Sequence, residues 1–298
     1  MRLAMLGLGK MGGNMVKRLI RGGHEVVAFD RDAAAVQKVA GEGAIAATSL
    51  EDVVAKLSAP RAVWVMVPSG APTEETIKKL GELLSPGDIV IDGGNSNFRD
   101  SKRHAAELAA KKIQFLDAGT SGGIWGLEVG YCLMVGGDKP AYETLLPALT
   151  TLAPKDGLGY FGVAGAGHFA KMVHNGIEYA MMQSYAEGFE LLKASEYKYD
   201  LRTITSVWNR GSVVRSWLLE LAERAFNKDP NLDGLKAYVE DSGEGRWTVN
   251  EAVAHAVAVP TIAASLFARF TSRQDNSFAM RVLSALRNEF GGHAVKKA

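Results

Sequence analysis

Four polar residues share one helical stretch. Lys171, His174, Asn175 and Glu178 stand at i, i+3, i+4 and i+7, spacing that stacks them on one face of an α-helix. The rest of the stretch is largely apolar, with Met172, Val173, Ile177, Ala180 and Met181. The pattern predicts a buried central helix with one polar stripe. Lysine and glutamate on a helix usually mark a solvated face. Here the flanking residues are apolar and the stripe holds His and Asn instead of a Glu/Lys ladder, which favours chemistry. A lysine in a dry site can take a proton from an alcohol near neutral pH while hydride leaves the carbon. Asn and His can hold hydroxyls or a carboxylate, and a buried glutamic acid can return a proton.

Hydride removal needs an acceptor, and the N-terminus supplies a place for one. Gly7-Leu8-Gly9-Lys10-Met11-Gly12 follows a strand candidate and opens a helix candidate. Gly7 permits the tight turn, Gly9 lets the backbone approach a pyrophosphate, and Gly12 lets helix and strand pack closely. The helix N-terminus offers N–H groups to the phosphates. Asp30 ends the second strand candidate, 21 residues after Gly9, where an acid would hold the ribose hydroxyls. Asp30 favours NAD over NADP. Arg31 keeps NADP open, because a guanidinium pairs with a 2′-phosphate or stacks on adenine.

Loops at strand ends complete the candidate site: Val67-Pro68-Ser69-Gly70, the 91–96 segment IDGGNS, and the 117–123 segment DAGTSGG. Paired glycines let backbone N–H groups face an anion. Asn95 and Ser121 add side chains for a carboxylate or carboxamide.

The elements that must position these residues alternate in the first half. Strands are expected at 3–6, 25–29, 62–67, 89–92, 113–116 and 131–135, the last either parallel or antiparallel. Helices are expected at 12–21, 33–40, 73–84 and 99–111. Alternation implies βαβ units and a doubly wound sheet. Beyond 165 no strand is expected, only helical stretches near 167–193, 200–226 and 259–289. The fold class is therefore α/β: a Rossmann domain over 1–163, then an all-α domain over 164–298.

Composition limits the remaining possibilities. Hydrophobic residues make up 47% and charged residues 22%, enough to build a core. A formal net charge of +1 argues against nucleic acid or a membrane surface as partner. The single cysteine, Cys132, cannot form an internal disulfide or a Cys-based metal site, and reads as a small core residue. No apolar run of membrane-spanning length and no convincing signal peptide point to a cytoplasmic protein. No metal is expected.

IDGGNS (91–96), GTSGG (119–123) and GAGHFAKMVHNGIEY (165–179), extended by GEGRWT (243–248), FAR (267–269) and RNEFGGH (287–293), resemble the 6-phosphogluconate dehydrogenase family in its short-chain form. The resemblance covers nearly the whole chain in order. GLGKMG alone is shared by all β-hydroxyacid dehydrogenases. The resemblance implies oxidative decarboxylation of 6-phosphogluconate, with Lys171 as base and Glu178 as acid. It implies that Ser121, Gly122, Gly123, His174 and Asn175 hold the carboxylate end, with Asn95 between substrate and nicotinamide. Tyr179, Arg246, Thr248, Arg269 and Arg287 would meet the 6-phosphate, with His293 nearby. Arg246 departs from the lysine common in relatives, and Asp30 from the Asn-Arg of NADP-dependent ones. In long-chain relatives the tail residues come from a neighbouring subunit, so a homodimer or homotetramer is implied, with Arg287 and His293 completing another chain's site. The alternatives are a non-decarboxylating dehydrogenase of the 3-hydroxyisobutyrate type and a catalytically silent NAD-binding protein.

Overall fold

The computed structural model describes residues 1–297. Its first part alternates β1 (Arg2–Leu6), α1 (Lys10–Arg21), β2 (Glu25–Phe29), α2 (Ala33–Ala40), β3 (Ile45–Ala46), α3 (Leu50–Ala55), β4 (Ala62–Val65), α4 (Ala71–Leu83), β5 (Ile89–Asp92), α5 (Phe98–Ala109), β6 (Gln114–Ser121), α6 (Gly126–Val129), β7 (Cys132–Gly137), α7 (Lys139–Leu152) and β8 (Leu158–Tyr160). The helices α8 (Ala166–Ala194), α9 (Leu201–Trp208), α10 (Trp217–Lys228), α11 (Glu244–Ala254), α12 (Pro260–Thr271) and α13 (Phe278–Gly291) follow. By compactness the chain divides within α8, between His174 and Asn175.

The first unit is built on one eight-stranded sheet, ordered β3-β2-β1-β4-β5-β6-β7-β8. All neighbours are parallel except β6 and β7, which resolves the open orientation of the 131–135 segment as antiparallel. Strand order reverses beside β1, where β4 returns on its other edge. That switch point opens the crevice at the carboxyl ends of the strands. Apolar side chains pack on both faces of the sheet. Leu3, Met5, Trp64 and Ile91 belong to one core cluster; Ala4, Leu6, Val63 and Val90 belong to the other. The alternation along β1 shows why a strand buried on both faces reads as a continuous apolar run.

In the second unit Phe189, Leu201, Leu219 and Phe226 form a core, with Phe226 edge-on to Phe189 at 5.2 Å between ring centroids. The stretches expected at 200–226 and 259–289 are each two helices. Ser216 caps α10, its side chain accepting the Leu219 N–H. Ser277 precedes α13.

Four further expectations need correction. The strand placed at 113–116 continues to Ser121, because residues 116–121 pair with β7; most of the DAGTSGG segment is therefore strand, and the turn begins at Gly122. The strand placed at 62–67 ends at Val65. Cys132 is exposed at the start of β7 instead of lying in the core. Ile177 and Met181 on α8 are 50% and 37% exposed, so that helix is not apolar-buried all round. Helix α7 escaped sequence reading because Pro147 lies inside it. Among the described residues no helix is long and apolar enough to cross a membrane.

An ionic clamp joins α4 to α5. Arg103 donates to Glu74 at 2.7 Å and His104 Nε2 lies 2.8 Å from the same carboxylate. Arg103, aided by His104, holds the Glu74 carboxyl down to about 2 from an ordinary 4.5. A depressed carboxylate stabilises the fold fully above its unfolded value and loses that contribution as pH falls toward 2. Glu74→Gln is expected to cost about 1 kcal/mol at pH 7, reduced by solvent screening, and little near pH 2. Urea unfolding at both pH values checks this.

Candidate active site

Loop 7–12 makes the floor of a cleft of about 760 Å³. Gly7 has φ of +93°, and a Cβ there would lie 2.4 Å from the Met66 carbonyl oxygen. A Cβ on Gly12 would lie 2.0 Å from the Gly7 carbonyl oxygen. At Gly9 nothing stands within 4 Å of a built Cβ. Two glycines are thus required by the fold, and the third leaves open space over the start of α1. The first turn of α1 carries no acidic residue and no side-chain cap, so nothing there would oppose an anion at its N–H groups.

Asp30 secures this loop as well as lining the cleft. Its Oδ2 accepts the Leu8 N–H at 2.6 Å and its Oδ1 accepts the Asp32 N–H at 2.9 Å. Each oxygen retains a second lone pair for a ribose hydroxyl. Gly7, Gly9, Met11, Gly12, Asp30, Arg31, Val67, Pro68 and Asn95 all line the cleft. Leu8 is buried and contributes its backbone, while Lys10 is exposed at the first residue of α1. The residues present fit a dinucleotide: the glycines would cradle its pyrophosphate and Asp30 would hold its ribose.

At the far end of the cleft Lys171 Nζ donates to Asn95 Oδ1 at 3.2 Å. This contact joins two sequence-predicted residues from segments 76 positions apart. The beginning of α8 is fixed by Asp117, which is fully buried. Asp117 Oδ1 accepts the Gly165 N–H and Oδ2 the His168 N–H, each at 2.7 Å. A carboxylate from β6 therefore caps the helix in place of a local residue. Gly119 and Gly167 allow the close approach. A Cβ on Gly119 would lie 2.4 Å from Lys171 Cβ, and one on Gly167 would lie 2.4 Å from the Met134 carbonyl oxygen. His168, 3% exposed, adds a 2.7 Å hydrogen bond between Nδ1 and Ser101 on α5. Ser121 Oγ lies 3.5 Å from His174 Nε2, beside the Gly122–Gly123 turn.

Asp117→Asn is expected to cost about 2 kcal/mol, since an amide can accept only one of two buried N–H groups. It should also reduce kcat, because a misplacement of about 1 Å can cost about 10²-fold. Denaturant unfolding and steady-state rates on the same samples test this.

In the second unit Asn175 Nδ2 donates to Glu244 Oε1 at 2.8 Å. Glu244 is 2% exposed, and its other oxygen accepts the Ser242 hydroxyl at 2.5 Å. Ser242 in turn contacts the Tyr179 hydroxyl at 3.0 Å and donates its N–H to it at 2.9 Å. Arg269 lies over the Tyr179 ring at 3.6 Å and donates to the Glu240 carbonyl at 2.7 Å. Arg246 grips Asp241 with Nε and one terminal nitrogen, at 2.8 and 2.9 Å. Thr248 is buried, donating its hydroxyl to the Glu244 carbonyl at 2.8 Å, and its side chain is where a Cβ on Gly176 would fall. Glu178 is half-buried on α8. Arg287 and His293 are exposed on and just after α13. Among the described residues neither bonds to the Tyr179–Arg246–Arg269 group.

Sequence reading missed Glu244, Ser242, Asp241 and Arg273, which contacts Asp241 at 3.0 Å. Acidic residues beside predicted phosphate arginines give no periodic signal. Only the DSGEG run, with its turn-forming glycines, hinted that 241–245 was built for position.

Residues 2–163 match the NAD binding domain of 6-phosphogluconate dehydrogenase, and residues 167–297 match the C-terminal domain of 6-phosphogluconate dehydrogenase. The chain belongs to the 6-phosphogluconate dehydrogenase family. It is 46% identical to the 6-phosphogluconate dehydrogenase of Haloferax volcanii named NAD(+)-dependent and decarboxylating, over 100% of this chain and 99% of that one. A solved structure of Plasmodium falciparum 6-phosphogluconate dehydrogenase aligns with TM-score 0.84 and 27% identity. It covers 100% of this chain, which spans 66% of the Plasmodium protein. Mycobacterium tuberculosis 3-hydroxyisobutyrate dehydrogenase shares the fold at TM-score 0.73 and 24% identity, covering 96% of this chain and 99% of that one. Family membership makes this chain an oxidoreductase of the nicotinamide-dependent class.

Proposed function

We propose that this protein oxidatively decarboxylates 6-phospho-D-gluconate to ribulose 5-phosphate and CO₂, reducing NAD in preference to NADP. The observation that carries this reading is the Lys171–Asn95 contact at 3.2 Å at the end of the dinucleotide cleft, in a chain of this family.

Held by the 7–12 loop and Asp30, a nicotinamide dinucleotide would supply the acceptor for the C3 hydride. Lys171 takes the C3 hydroxyl proton as the hydride leaves. The β-keto acid so formed loses CO₂, its ketone oxygen taking the electron pair, and protonated Lys171 stabilises the enolate. Glu178 protonates the carbon that lost the carboxylate. Ser121, Gly122, Gly123, His174 and Asn175 hold the carboxylate end. Tyr179, Arg246, Thr248 and Arg269 meet the phosphate, guanidinium forks matching its oxygens. In this reading residues 1–163 bind the dinucleotide and lend Ser121, Gly122 and Gly123 to the carboxylate end, and 164–298 bind the rest of the substrate. The enzyme works as a cytoplasmic homodimer or homotetramer, Arg287 and His293 completing a neighbour's site. It serves the pentose phosphate route or gluconate use.

The arginine group argues against a 3-hydroxyisobutyrate-type enzyme, whose substrate carries no phosphate. Comparing kcat/KM for 6-phosphogluconate and 3-hydroxyisobutyrate with NAD tests the reading. A preference for 6-phosphogluconate of about 10³-fold or more is expected, since a site built for a charged group discriminates strongly. Preference for the smaller acid would overturn it, and turnover of neither would favour a silent binder.

A further inference from the structure

Asp241 and Arg273 have no role in the reading above, yet they organise the arginines it relies on. The Asp241 side chain is only 4% exposed. Arg246 holds both its oxygens, and Arg273 donates to Oδ2 at 3.0 Å. Both guanidiniums lie over the Phe270 ring, at 4.4 Å for Arg246 and 5.2 Å for Arg273. Each cation is thus fixed by a carboxylate at one edge and an aromatic ring against it. Arg246 uses Nε and one terminal nitrogen on Asp241, so its other terminal nitrogen is held in a set direction. Arg246 is half exposed and Arg273 less so, at 51% and 23% of their side chains. A salt bridge that merely fastened α11 to the end of α12 would need one arginine. Two arginines on one buried carboxylate keep a positive excess, in a rigid frame.

We infer that Arg273 is a specificity-determining residue of this site, and that Asp241 positions Arg246 and Arg273 as a guanidinium pair selective for a phosphate dianion. The inference rests on the phosphorylated-acid reading for its substrate, not for its anion. Arg246, with Arg273, holds the Asp241 carboxyl down to about 2. The pair therefore keeps one charge state across working pH.

The test uses the full-length enzyme and Arg273→Ala and Arg273→Lys variants. KM for 6-phosphogluconate should rise by about 30-fold in Arg273→Ala, as for a lost charge-assisted contact, with kcat within about threefold of wild type. Arg273→Lys should fall between. kcat/KM for unphosphorylated gluconate and the Kd for NAD should not move. Wild-type affinity for inorganic phosphate, read by calorimetry without turnover, should weaken as pH falls through its second ionisation, roughly one unit above the value of about 6 for a phosphate monoester. Arg273→Ala should bind phosphate weakly throughout, with a flattened profile. Equal losses on 6-phosphogluconate and gluconate would overturn the inference in favour of a structural role. So would unchanged phosphate affinity in Arg273→Ala. If wild type binds phosphate in this way but never reduces cofactor with 6-phosphogluconate, the substrate reading fails and the anion pair stands.

Discussion

Lys171→Met is expected to lower kcat by about 10³-fold, the middle of the range for a lost general base, while the Kd for NAD stays within about twofold. Methionine keeps the length and packing of the lysine stem. It removes the nitrogen that reaches Asn95 Oδ1 at 3.2 Å. The Cβ stays against Gly119, whose missing side chain makes the fit possible, so the backbone has no reason to move. The dinucleotide cleft is lined by residues 6–95 and does not include Lys171. Stopped-flow measurement of the first turnover separates hydride transfer from later steps, and fluorescence titration gives NAD affinity. Normal single-turnover rates in the variant would remove Lys171 as the base.

Asp30→Ala is expected to raise KM for NAD by about 30-fold, as for loss of hydrogen bonds to a charged acceptor, and KM for NADP much less. Two effects separate the cofactors. The lost carboxylate no longer accepts from the ribose hydroxyls, which penalises NAD. It also no longer repels a 2′-phosphate beside Arg31, which favours NADP. A third effect is shared by both cofactors: the Leu8 N–H loses its 2.6 Å acceptor, so the glycine loop loosens. Measuring KM for the two cofactors in parallel separates shared from selective loss. Equal increases for both would mean that Asp30 acts only as the anchor of the loop.

Much of this architecture can be read from residue order. β1, α1 and β2 sit close to where alternation, the GLGKMG turn and Asp30 put them, because each rests on local chemistry: a buried strand, a glycine turn, a helix start. α8 is equally legible, since its polar stripe and glycine-rich beginning lie within one segment. The misreadings have non-local causes. The 117–121 segment looks like a loop because of Gly119 and the Gly122–Gly123 pair that follows, but Gly119 serves the packing of α8 against β6, and β7 completes the pairing. Cys132 begins its strand exposed, which a run of apolar neighbours conceals. In the candidate site, Lys171 and Asn95 were legible as types, yet nothing in the spacing of 76 residues shows that they touch. Asp117, Glu244 and Asp241 were less legible still. Each is a buried carboxylate whose work is to orient another group, and such residues carry no periodic pattern. Arg273 hides in a polar turn after α12, where arginine is ordinarily a solvated residue.

The central claim is that one active site both oxidises and decarboxylates. Incubating the purified enzyme with 6-phosphogluconate and NAD, and quantifying reduced cofactor and released CO₂ in the same vessel, addresses it directly. Equal molar yields of the two, with ribulose 5-phosphate as the remaining product, are predicted. Reduced cofactor accumulating without CO₂ would contradict the account and leave a simple β-hydroxyacid dehydrogenase.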